Sequence, residues 1–317
     1  MIKGHWLPAL GTAMLGAVML IATPLAAQRD RERDRDRDEE YRSRIDTTVA
    51  LDRGGTVDLS LVAGEIRVTG WNRDQVRVNA TSERGILRFD ATRSRVSLEV
   101  RSERGRGGDT RYEVSVPAGT RVLMRSVSGE LSATGVNGEI EAHTVSGDID
   151  IADATNRAEF ESVSGEVTVA RVRGDLRGNA VSGSITVQSV TGEVDVETVS
   201  GEVSLTGLQS RFVRAASVSG EVEFDGTIDP AGRYEFNSHS GEVRLVLQGD
   251  VNATVSVETF SGSIDSAFPM TLEPGAIGGQ HKRFQFRIGN GGARISAESF
   301  SGGIDIERGS SRGTQER

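Results

Sequence analysis

From position 127 the chain divides every nine residues, at Val127, Val136, Val145, Ala154, Val163, Val172, Val181, Val190, Val199 and Leu208, without an insertion. The fifth place of each unit is apolar: Leu131, Ile140, Ile149, Ala158, Val167, Leu176, Ile185, Val194, Val203 and Phe212. The fourth and sixth places are mostly charged or hydroxylic. That alternation with period two belongs to a strand with one buried face. The third place is Gly except at Asn156 and Ser210. Gly and Asn tolerate a left-handed backbone, so the pattern predicts a positive-φ turn there, and each unit reads as one short strand and one turn.

Alternate units differ. Val-Ser-Gly opens the units at Val127, Val145, Val163, Val181 and Val199, while those between open with Val-Asn-Gly, Ala-Thr-Asn, Val-Arg-Gly, Val-Thr-Gly and Leu-Gln-Ser. The true period is therefore eighteen residues. This predicts an all-β protein, a parallel β-solenoid or flattened β-roll with two nine-residue strand-turn units per coil. The Ser-Gly pair recurs at Gly220, Gly241, Gly262 and Gly302 with growing spacing, and Phe residues concentrate from Phe212 to Phe300, as a widening coil with larger filling requires. The interval from Gly262 to Gly302, which holds Pro269, Pro274 and Gly-rich runs at Gly278 and Gly291, reads as two coils plus an inserted loop or hairpin. At the other end Val62 to Val68 already fits the unit, but register is lost between Arg77 and Pro117. Open solenoid ends invite edge pairing, so irregular β caps are expected at both ends.

The repeated Val-Ser-Gly-Glu-Val at Val163 to Val167 and Val199 to Val203 resembles a family of bacterial exported β-strand-repeat proteins of unknown function assigned as candidate adhesins. Gly70-Trp71-Asn72-Arg73-Asp74 and Val116-Pro117-Ala118-Gly119-Thr120 carry the same resemblance, which spans roughly residues 45–308. It implies a β-strand-repeat fold and brings no binding residues with it.

Lys3, an apolar stretch from Leu7 to Ala22 and small residues at Ala26 and Ala27 have the layout of a secretory signal peptide, cut after Ala26 or Ala27; an uncleaved anchor is the alternative. Arg29 to Arg44 alternates Arg with Asp and Glu around one Tyr, too polar to offset chain entropy by burial. The chain thus divides into a signal peptide (1–27), a charged disordered spacer (28–44), an N-terminal β cap (45–126), solenoid repeats (127–262), C-terminal coils and cap (263–308) and a disordered tail (309–317). No second apolar span follows the leader, so no membrane span is expected after cleavage.

Composition supports a thin-cored β protein: 39 Gly, 6 Pro, 5% aromatic and 36% hydrophobic residues. The net charge of −9 opposes nucleic-acid binding, which needs a basic footprint. With no cysteine there is no disulfide, thiol nucleophile, Cys-ligated zinc or lipid-anchoring Cys.

The fourth place of the Val-Ser-Gly units stacks Glu130, Asp148, Glu166, Ser184 and Glu202, continuing as Glu221 and Glu242. Adjacent carboxylates on one edge repel, and a divalent cation such as Ca2+ would relieve this. A solvated acidic edge is the plainer reading, because calcium-binding rolls use a richer Gly-Gly-x-Gly-x-Asp loop. The column Ser128, Ser146, Ser164, Ser182, Ser200 and Ser219 is expected to hydrogen-bond the turn backbone. A second outward column, Ser132, Asp150, Thr168, Thr186 and Ser204, is too interrupted by charge for a flat Thr array. His143, His239 and His281 are scattered, and His239, standing in the Val place, is expected to be packed and hydrogen-bonded. No nucleophile elbow, His-Glu-x-x-His or phosphate loop occurs. The reading is a non-catalytic exported scaffold in the periplasm, on the cell surface or outside the cell, binding an envelope or extracellular polymer or a protein partner. The alternatives are a structural or envelope-stress partner in the periplasm and, last, a carbohydrate-active β-helix enzyme.

Overall fold

A computed structural model describes residues 43–101, 109–269 and 282–309. The predicted leader, the spacer up to position 42, His281, Pro274, Gly278 and the tail beyond Gly309 lie outside the described residues. Ser43 and Arg44, assigned to the disordered spacer by composition, instead open strand β1 (Ser43–Ala50).

The described residues form one continuous sheet with no helix. Strand β2 (Thr56–Trp71) is the first full rung. Strands β3 (Gln75–Ser82), β4 (Ile86–Ala91), β5 (Arg95–Arg101) and β6 (Thr110–Pro117) close the N-terminal end. β5 and β6 lie parallel on the two halves of β2, β4 runs antiparallel on β5, and β3 and β1 add antiparallel strands outside β6. Strand β7 (Arg121–Thr134) stacks on the whole of β2, register Thr56↔Arg121 through Thr69↔Thr134. Parallel stacking therefore reaches back into the segment that sequence reading gave to the cap.

From there the repeats alternate longer and shorter strands. The longer wall is β8 (Ile140–Ser146), β10 (Ala158–Ser164), β12 (Leu176–Ser182), β14 (Val194–Ser200), β16 (Phe212–Ser219) and β18 (Arg233–Ser238). The shorter wall is β9 (Ile149–Ala152), β11 (Val167–Ala170), β13 (Ile185–Gln188), β15 (Val203–Thr206), β17 (Val222–Thr227) and β19 (Val243–Gln248). Each strand pairs in parallel with its equivalent one coil away, as in Ala158↔Leu176 and Val167↔Ile185. A short third side adds single bonds between coils, such as Arg173 N to Ala154 O at 2.8 Å. Inward residues of all three sides, including Ile149, Ile185, Val196 and Val172, are buried in one core. Phe160 fits because Gly178 lies on it: a Cβ at 178 would stand 2.0 Å from the ring.

The glycine column has a second cause beside the one its pattern suggests. Gly147, Gly165, Gly183, Gly192 and Gly201 have the predicted positive φ, from 131° to 149°, but Gly129, Gly138 and Gly174 lie outside that range, and so does Asn156. What most of the column shares is crowding, since a Cβ would lie 1.9 Å from Thr120 O at Gly138, 2.2 Å from Gly147 O at Gly165 and 2.6 Å from Asn156 O at Gly174. A further left-handed position falls at the ninth place, where Asp153, Arg171 and Ser189 adopt φ of 55–56°.

The C-terminal end departs from sequence order. Strands β20 (Ala253–Thr259) and β21 (Ile264–Ser266) form the outer coil, and β22 (Lys282–Ile288) runs antiparallel on β20. Strands β23 (Ala293–Ser299) and β24 (Ile304–Arg308) then return and insert beneath them. β23 lies between β18 and β20, and β24 between β19 and β21. Among the described residues the interval from Gly262 to Gly302 holds one coil, β21 and β23, plus the antiparallel β22, rather than the two coils expected, and the last coil in sequence is next to last in space. Antiparallel pairing is confined to the two ends, where it terminates the parallel stack.

Candidate functional site

Where the longer wall turns into the shorter one, the first residue of each Ser-Gly unit points to solvent. Val62, Val127, Val145, Val163, Val181, Val199 and Val218 are 42–51% exposed. The column continues through His239, Phe300 and Phe260. The rings of His239 and Phe300 stack at 4.8 Å and 9°, and those of Phe300 and Phe260 at 5.0 Å and 2°. Ring spacing therefore follows the strand spacing of about 4.8 Å. His239 is exposed and held by this stack, which corrects the expectation of a packed, hydrogen-bonded side chain. Phe260 and Phe300 likewise do not fill the coil, unlike buried Phe224 and Phe236, which pack with Tyr234.

Beside this apolar ladder runs the serine column, Ser128, Ser146, Ser164, Ser182, Ser200 and Ser219, all exposed. These are not the hydroxyls that tie the corner. That role falls two residues earlier, on a buried inner column: Ser217 Oγ donates to Gly201 O at 3.1 Å, Ser238 to Gly220 O at 2.9 Å, Ser299 to Gly241 O at 3.0 Å and Thr259 to Gly302 O at 3.1 Å. Ser126, Thr144 and Ser162 occupy the same column without a hydrogen-bond partner. The sequence carried this signal, since positions 126, 144, 162, 198 and 217 are all Ser or Thr.

Past the glycines stands the acidic column. Glu130, Asp148, Glu166 and Glu202 are exposed, and Glu221 and Glu242 half-buried. Asp148 Oδ1 accepts from Glu166 N at 2.8 Å, which ties one coil to the next. Arg244 stands 3.0 Å from Glu242 and 3.8 Å from Glu221. Burial raises the Glu221 carboxyl, Glu242 and Glu202 add to this, and Arg244 pulls it down. Among the described residues no group of three or more His, Cys, Asp or Glu is placed to hold a metal ion. On the shorter wall, Ser132, Asp150, Thr168, Thr186 and Ser204 lie in direct register. Burial, with Asp148 nearby, raises the Asp150 carboxyl. His143 Nδ1 lies 3.0 Å from Glu161 on the longer wall.

At the C-terminal end the outward face of the longer wall is hollowed. A groove of about 690 Å³ runs over β18, β23, β20 and β22, lined by residues including Arg233, Arg294, Ser256, Ser296, Gln285 and Glu298. A neighbouring depression of about 540 Å³ shares Asn237 and Glu298 with it and ends on His239, Phe260 and Phe300.

Parallel coils capped at both ends, with side-chain ladders along a corner, define a repeat scaffold that presents an extended surface. The chain belongs to the Toastrack DUF4097 family, whose model matches residues 65–307. It is also similar to a candidate cell adhesion protein from Clostridium sporogenes, at 11% identity and a TM-score of 0.26, over 84% of this chain and 100% of that one. A candidate adhesin from Bacteroides fragilis is similar at 9% identity and a TM-score of 0.28, over 84% of this chain and 97% of that one. No curated protein matches the chain. The expected membership in a β-strand-repeat family is borne out. No helix among the described residues is long and apolar enough to cross a membrane.

Proposed function

We propose that the chain is an exported, non-catalytic scaffold that binds a partner in the cell envelope or outside the cell through its repeat corner. One observation carries this reading: of ten successive rungs, from Val62 to Phe260, nine expose an apolar side chain at the same corner and the tenth exposes His239, with exposed hydroxyls beside them in most rungs. A column this long exceeds the scattered apolar residues normal on a monomer's surface. Leaving these side chains in water confers no stability, so their repetition points to use in recognition. The membership in a family of unknown function agrees with a binding role and assigns no chemistry.

The test is co-sedimentation of the purified chain with isolated envelope fractions, with calcium and with chelator. Retention that is lost in the double variant Val163→Lys/Val181→Lys is expected. Retention unchanged by that variant would overturn the assignment to the corner, and no retention in any fraction would overturn the scaffold reading. Loss with chelator alone would move recognition to the acidic column.

A further inference from the structure

Along the longer wall, outward residues form rows running from coil to coil. In the repeats one row reads Arg121, Glu139, Arg157, Asp175, alternating in sign, with Arg121 3.5 Å from Glu139. In the next row Arg214 stands 3.3 Å from Asp195, and Arg177 3.9 Å from the same carboxylate. Like-charged neighbours occur in these rows, Asp175 beside Glu193 and Glu141 beside Glu159, but each of their arginines, Arg121, Arg157, Arg177 and Arg214, has a carboxylate within 4 Å.

The C-terminal groove departs from that pairing of arginine with carboxylate. Its first row is Arg233, Arg294 and Thr254, and Arg287, in register on the outer strand, continues the row just beyond the groove's lining. Arg233 engages Glu235. Arg294 and Arg287, both exposed, have no ion pair among the described residues. Like charges directly opposite on neighbouring strands repel; Glu235 partners Arg233, while Arg294 beside it has no carboxylate partner among the described residues. An anion from outside would supply one, and the planar guanidinium fork suits a carboxylate. The second row supplies Glu235, Ser296, Ser256 and Gln285, mostly neutral donors and acceptors. The third holds Asn237 and Glu298, which lead to the aromatic corner about 20 Å from the arginines at strand rise.

We propose that this groove binds an acidic oligosaccharide, with a uronate carboxylate on Arg294 and Arg287 and the sugar hydroxyls on Ser256, Ser296, Gln285 and Asn237. Its order of charge, hydroxyl-matching groups and carboxylate acceptors is that of a polyhydroxylated chain with one anionic group. A polyphosphate backbone is disfavoured, because Glu235 and Glu298 would face its next charges. This site is separate from the corner ladder and does not depend on it.

The experiment is calorimetric titration of the full chain with trigalacturonate, cellotriose and sodium sulfate at low ionic strength, on the wild type and on Arg294→Ala, Arg287→Ala and Arg177→Ala. Trigalacturonate is expected to bind, at least about tenfold more weakly to Arg294→Ala and Arg287→Ala and unchanged to Arg177→Ala; about tenfold corresponds to 1.4 kcal/mol. Binding of cellotriose or sulfate as tight as trigalacturonate, an equal loss in Arg177→Ala, or no trigalacturonate binding would overturn the proposal. If Arg294→Ala alters the melting curve, Arg287→Ala, on the outermost strand, gives the same reading.

Discussion

Replacing Gly165 separates two accounts of the glycine column. If the column exists for a left-handed turn, Asn is an acceptable replacement. If it exists because adjacent coils touch, any Cβ is excluded, since one at 165 would stand 2.2 Å from Gly147 O, against the 3.0 Å below which Cβ contacts essentially never fall. Moving Gly147 and Gly165 apart would strain the ladder that joins their coils, where Gly147 N donates to Ser164 O at 3.0 Å. Overpacking of this kind costs about 1–3 kcal/mol, and a side chain at φ 131° adds about 1–3 kcal/mol. Gly165→Ala and Gly165→Asn are therefore both expected to lose about 2–6 kcal/mol in chemical denaturation followed by circular dichroism. Because a solenoid opens locally, hydrogen exchange should place the loss in coils 145–200. Ser189→Gly, at φ 56° with no such contact, is expected to be neutral or to gain up to ~1 kcal/mol. A loss under ~1 kcal/mol in Gly165→Asn together with a large loss in Gly165→Ala would refute the steric account.

Burial raises the Tyr112 and Tyr234 phenols above their ordinary value of 10.0. The unfolded chain gives up those protons first, so their contribution is complete below about pH 10 and declines above it, by up to ~1.4 kcal/mol per pH unit for each tyrosine. Denaturation midpoints from pH 9 to 11.5 should fall, and fall less steeply in Tyr112→Phe. Tyr234→Phe should cost about 1–3 kcal/mol at neutral pH, because its hydroxyl donates to Ser210 O at 2.7 Å and accepts from Asp229 N at 2.8 Å; an unchanged melting curve would count against that network. Truncation after Gly292 removes the coil that sits between two others, so amides of 253–266 should lose hydrogen-exchange protection although they remain in the chain. Retained protection there would mean the last two coils stack in sequence order.

The repeat was legible because burial in a solenoid is periodic. Ile149, Val167, Ile185 and Val203 had to alternate with polar residues, and they lie in the core at the places read from the sequence. The causes of other columns were less legible, because one residue type serves different needs. Gly answers both to positive φ and to close approach, and only coordinates separate Gly165, which has both, from Gly138, which has the second alone. Ser answers both to exposure and to capping, so the visible Val-Ser-Gly motif drew the assignment to Ser164, while the bonding column was two residues earlier, next to the Val. That exposed Val was missed for a related reason. Alternation places Ser162 inward and Val163 outward, and an outward Val in a repeated motif is easily counted as core.

The candidate binding features gather where the repeat lapses. Within residues 127–208 the eighteen-residue unit repeats Val at the corner, so each coil resembles its neighbours there. The inverted order at the C-terminal end departs from that pattern. Inserting β23 brings Arg294 beside Arg233, sixty-one positions away in sequence, and sets Phe300 between His239 and Phe260. Neither neighbour relation follows from the spacing of the Ser-Gly pairs. The same insertion therefore does two things: it anchors the outer coil through parallel ladders on both walls, and it assembles a charged row and an aromatic stack that a stack in sequence order would not contain. Scaffold stability and recognition are coupled at that end, so a variant that displaces β23 should lose both, whereas Arg294→Ala should lose recognition alone.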